Sequence, residues 1–119
     1  MALTRRMAIE HGISYGSGTI NYHNDTLVYD RALRSFPQDD SYAALKAAVD
    51  EADLAACKES CANLREVLGM LAMSELFEMT DPLLEALDAD SLPAVEDMEN
   101  FEEAYCEMVS FLEDARGKH

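Results

Sequence analysis

From residue 27 to residue 112 the apolar side chains recur at intervals of three and four, and over no stretch do they alternate with polar ones. A period near 3.6 lays one apolar stripe along a helix, whereas a half-buried strand needs a period of two. The chain is therefore expected to be all-α, built from amphipathic helices that cover one another's apolar faces. Its 119 residues suit one domain. At 49% hydrophobic residues it stands apart from disordered chains. No internal repeat of solenoid length interrupts the pattern.

Capping residues and prolines divide the chain. Residues 1–22 hold Gly12, Gly16 and Gly18 among serines and threonines, a loop composition after a short turn over Thr4–His11. Asn24 or Asp25 can cap a first long helix carrying Leu27, Tyr29, Ala32, Leu33 and Phe36, which Pro37 ends. Asp39-Asp40-Ser41 opens a second helix with Tyr42, Leu45, Ala48 and Val49 on its apolar face, closed by 50–53. Asp53 caps a third, whose stripe is Cys57, Cys61, Leu64, Leu68 and Leu71. Ser74 is the expected cap of a fourth, with Pro82 kinking or splitting it near Met79. Ser91 is the expected cap of the last, with Pro93 in its first turn and Gly117 at its end. Such helices with short connections predict an antiparallel four-helix bundle over 23–115, preceded by an N-terminal segment or short helix.

Charge is distributed unevenly. Residues 1–65 carry nine Asp/Glu against seven Lys/Arg, whereas 66–115 carry fifteen Asp/Glu and no Lys or Arg. The formal net charge of −15 excludes the basic footprint that nucleic acid needs and disfavours an anionic membrane surface. No apolar run reaches the length of a membrane span. The Arg5-Arg6 pair is not followed by the apolar stretch of an export signal, so a cytoplasmic location is expected.

Several chemistries lack their residues. Three cysteines, at 57, 61 and 106, do not make a disulfide framework, and Cys57 and Cys61 fall on the apolar stripe. The histidines stand at 11, 23 and 119, none with the Glu three residues before it that a di-iron bundle uses. No set of four Cys and His has structural-zinc spacing. The Gly-Ser-Gly at 16–18 lacks the lysine of a phosphate loop. No catalytic residue, metal site or cofactor is expected, and enzyme activity is not expected either.

The order of segments resembles that of the histidine-containing phosphotransfer (HPt) domains, helical bundles that pass a phosphoryl group between receiver domains in two-component phosphorelays. The likeness spans residues 9–112. Ile9–Ile13 resembles the family's opening segment, and Val28-Tyr29, Leu33 and Phe36 its first bundle helix. Leu45, Ala48 and Asp53 follow its second. The family then has His-x-x-Lys-Gly, with a small residue seven after the His, an apolar one nine after and Gly ten after. Here Ala62 stands at the His position, Arg65 at the Lys and Glu66 at the Gly, while only Gly69 and the small Ala72 keep the surrounding pattern. No His lies between 23 and 119, so no shift of register restores the motif.

The resemblance implies an HPt-like bundle without phosphotransfer, since a methyl group has no lone pair to attack phosphorus. It also implies a protein partner, a receiver domain or histidine kinase. The expected contact is the outer face of the third helix: Ala55, Lys58, Ala62, Arg65, Glu66 and Gly69. Ala55, Ala62 and Gly69 are seven apart and would leave a shallow strip open to a partner helix. Glu66 would repel the acidic pocket of a receiver. The alternative is an acidic interaction module that binds a basic partner through 66–115, with binding that falls steeply with salt. Oligomeric state is left open by the sequence.

Overall fold

The computed structural model describes residues 5–117, with side chains described through position 114. Along the chain run α1 (Arg5–Glu10), α2 (Tyr15–Asn21), α3 (Thr26–Ser35), a 3-10 turn (Phe36–Gln38), α4 (Ser41–Asp50), α5 (Leu54–Met70), α6 (Ser74–Met79), α7 (Asp81–Asp88) and α8 (Val95–Gly117). No strand occurs among the described residues, so the all-helical expectation holds. No helix there is long and apolar enough to cross a membrane.

The helix starts follow the aspartates. The Asp25 carboxylate accepts from the Val28 amide at 3.1 Å and that of Asp53 from the Ala56 amide at 3.1 Å, each satisfying a first-turn donor. The helix ends share another device. After α5 the Met73 amide donates to Leu68 O (3.0 Å) and the Ala72 amide to Gly69 O (3.1 Å), with Ala72 in the left-handed region. After α4, Asp53 and Ala52 repeat this pattern onto Ala48 and Val49. These turns reverse the chain within three residues, and only the one after α1, at Gly12 (φ 77°), uses a glycine for it.

Reversal at 51–53 lays α4 along α5. The α5 stripe of Cys57, Cys61, Leu64 and Leu68 is fully buried, as its spacing predicts. Burial pushes the thiols of Cys57 and Cys61 up, which leaves them packing groups rather than nucleophiles. α3 and the 3-10 turn pack against α8, and α6 and α7 fill the space between α5 and α8. At one end Phe36, Tyr42, Phe101 and Tyr105 join the 3-10 turn, α4 and α8; Tyr42 and Tyr105 lie 4.6 Å apart between ring centres. Tyr42 also donates to Glu102 (3.0 Å), which Lys46 holds at 2.6 Å.

Four details depart from the sequence reading. The glycine-bearing segment is not a loop: α1 and α2 occupy most of it. Gly18 lies inside α2 because a Cβ there would fall within the ring of Tyr29. That ring is fully buried, edge-on to Tyr15 at 5.1 Å, and its hydroxyl donates to Leu71 O at 2.6 Å. Burial moves its ionisation well above the ordinary tyrosine range. Next, Leu27 is not on the apolar face of α3. The inward positions are Tyr29, Leu33 and Phe36, and a residue two before Tyr29 is turned about 200° away. Third, Ser74 does not cap α6; it begins that helix, and its hydroxyl pairs with that of Ser14 at 2.6 Å. Fourth, Ser91 does not cap α8. Its amide is used to close α7, donating to Ala86 O at 2.9 Å, and α8 starts only at Val95, after a buried Pro93. Pro82 does divide its helix as expected, with Thr80 at the joint between α6 and α7.

Candidate functional site

Because α5 buries one stripe, its opposite side faces outward. Ala55, Lys58, Ala62, Glu66 and Gly69 are exposed there, and Arg65 is half-buried. From Ala55 to Gly69 the strip runs about 21 Å at the α-helical rise. The small residues expected at its centre are thus at the surface.

The two cations of the strip are spoken for. Lys58 Nζ lies 2.7 Å from Asp90, just past the end of α7. Arg65 donates to Asp81 at 2.8 Å and to the fully buried Thr80 hydroxyl at 2.6 Å, at the start of α7. Its guanidinium also lies 4.4 Å from the centre of the Phe77 ring. The Thr80 hydroxyl in turn donates to Phe77 O at 2.6 Å. Partners at residues 81 and 90 meeting residues 65 and 58 fix α7 antiparallel to α5. The pair with Lys58 holds the Asp90 carboxyl below its usual range and raises the lysine. Arg65, which the spacing placed on the outer face, is therefore a clamp between α5 and the α6–α7 joint. Lys58 leans the same way, and the exposed side chains left around Ala62 are Glu59, Asn63 and Glu66.

Sequence reasoning missed what flanks the strip. Between α3 with the 3-10 turn and the C-terminal half of α5 runs a groove of about 520 Å³. Tyr22, Ala32 and Phe36 line one side; Glu66, Val67 and Met70 line the other. Met70 is 43% exposed, although its neighbour Met73 is fully buried. A second recess of about 300 Å³ lies on the other side of Gly69, against Ser17, Asn21 and Phe77. Asn21 stands between the two and donates to the carbonyls of Gly69 and Met70, both at 3.2 Å, which satisfies the end of α5. A methionine near the expected end of the third helix was the signal the sequence offered, since methionine suits adaptable surfaces as well as cores.

Among the described residues no group of three or more His, Cys, Asp or Glu is arranged to hold a metal ion. Compared with known proteins, the chain matches no family model, no curated protein and no solved structure.

Proposed function

We propose that the chain is an HPt-like antiparallel four-helix bundle that has given up phosphotransfer and acts by binding a receiver domain, or the kinase that feeds it, through the outer face of α5. The observation that carries this reading is the exposed Ala62 at the middle of that face, with Arg65 and Lys58 drawn aside to α7 and an apolar groove alongside. Two further points support it. Asp53, which matches the Asp of the family's Leu…Ala…Asp stretch, caps α5. Ala72, ten residues after Ala62 and at the place of the family's glycine, is held in the left-handed region that glycine favours.

The chemistry follows from the side chains. A phosphohistidine relay needs a ring nitrogen to attack phosphorus, and a nearby cation assists by holding phosphoryl charge. Here the attacking position is a methyl group and the neighbouring cation is committed to Thr80 and Asp81. What remains is a flat surface against which a partner helix can lie, with Val67 and Met70 accepting apolar side chains and Glu66 at the groove's edge. Bound in this way, the chain would occupy a receiver without accepting its phosphoryl group.

The test is to reinstall the lost chemistry. The double substitution Ala62→His with Glu66→Gly, incubated with receiver domains carrying aspartyl phosphate, is expected to take up an acid-labile phosphoryl group that the unaltered chain never acquires. The phosphoryl leaves the receiver's carboxylate and bonds to the imidazole nitrogen. If no receiver charges a variant that is folded by circular dichroism, the reading fails.

A further inference from the structure

A third recess lies away from the α5 strip, between the C-terminal half of α4 and the start of α8. Val49, Pro93, Val95 and Met98 line a cavity of about 170 Å³. Pro93 is buried and Val49 and Met98 are half-buried, but Val95, which forms the outer wall, is 73% exposed. Leu92, three residues earlier, is exposed as well. Single exposed apolar side chains are ordinary on a protein surface. Here the exposed valine borders a half-open cavity with Val49, Pro93 and Met98 in its lining, so an apolar side chain seated in it would meet apolar groups from both helices.

The rim sets the chemistry of the occupant. Asp50 and Glu99 line the cavity and are exposed. Lys46, the cation lining it, is held by Glu102 at 2.6 Å. The unneutralised charge around the opening is therefore negative. A second copy of this chain, at net −15, would be repelled, as would an acidic partner. A space near 150 Å³ is known to hold a benzene-sized ring.

We propose that this recess docks a basic segment of a partner protein, seating one aromatic or large aliphatic side chain between α4 and α8 while flanking Lys or Arg residues meet Asp50 and Glu99. The charges speed encounter and the anchor gives specificity. The site lies on different helices from the strip around Ala62, so it stands or falls independently of receiver binding.

The experiment uses the full chain, isotopically labelled, titrated with a short Lys/Arg-rich peptide carrying one Phe and with the same peptide carrying Ala in its place. The Phe peptide is expected to bind saturably and at least about tenfold more tightly, the gain from burying one large side chain. Amide shifts should centre on the end of α4 and the start of α8. Val95→Ser and Asp50→Lys, both at exposed positions, should each weaken the Phe peptide severalfold. Equal affinity for the two peptides, shifts spread along all the acidic helices, or binding unchanged by both substitutions would overturn the proposal.

Discussion

Gly18→Ala is expected to lower stability by about 3 kcal/mol, at the upper end of what overpacking a well-filled site costs. The new methyl would occupy the space of the Tyr29 ring, which is fully buried and tied by its hydroxyl to Leu71 O. Tyr29 cannot swing aside without giving up that bond and its contact with Tyr15. Either α2 moves off α3 or the ring leaves the core. For a domain of this size the loss corresponds to a fall in melting temperature of more than about 10 °C. Gly16→Ala is the control. A Cβ there meets only the Arg5 guanidinium at an ordinary 3.5 Å. Alanine inside a helix is better than glycine by about 0.5–1 kcal/mol, so this variant should be neutral or slightly more stable. Equal melting of the two variants in a thermal scan would mean that α2 does not pack on Tyr29 as described.

Arg65→Ala is expected to lower stability by about 2 kcal/mol, because it removes charge-assisted hydrogen bonds, one of them to a buried hydroxyl, and a stacked ring contact. Thr80 keeps its own bond to Phe77 O but loses the donor that faces it. Asp81→Asn should have a much smaller effect, since that carboxylate is 57% exposed and solvent screens the pair. Arg65→Lys should recover only part of the loss, because one ammonium cannot span Thr80, Asp81 and the face of Phe77 together. Urea unfolding, with an unchanged slope, reads all three. If Arg65→Ala were neutral, the guanidinium would be free to serve a bound partner instead of clamping the α6–α7 joint to α5.

How legible these features were in the sequence depends on how local their causes are. α5 could be read almost residue by residue, because its cap at Asp53 and its stripe from Cys57 to Leu68 are both set within the helix. The exposure of Ala55, Ala62 and Gly69 follows from that stripe. The clamps could not be read, since Arg65 and Lys58 find partners 16 and 32 residues away. The helical state of residues 15–21 was hidden for a similar reason. Gly18 serves a contact with Tyr29, and a glycine required for space looks in sequence like one required for a turn. Ser91 misled because a serine before a proline marks a helix start, whereas here its backbone finishes the helix before. The groove beside Met70 exists only once α3 and the 3-10 turn lie against α5, and no spacing within either helix encodes it.

The most direct test of the account is titration of the purified chain against the receiver domains encoded in its own genome, at low and moderate salt. The account predicts saturable binding to a receiver that changes little with salt, as a contact of small and apolar side chains should. It also predicts that Ala62→Arg, at an exposed position that leaves the fold intact, weakens this binding by at least about tenfold, or roughly 1.4 kcal/mol. Failure of every receiver to bind, or equal binding by the Ala62→Arg variant, would contradict it.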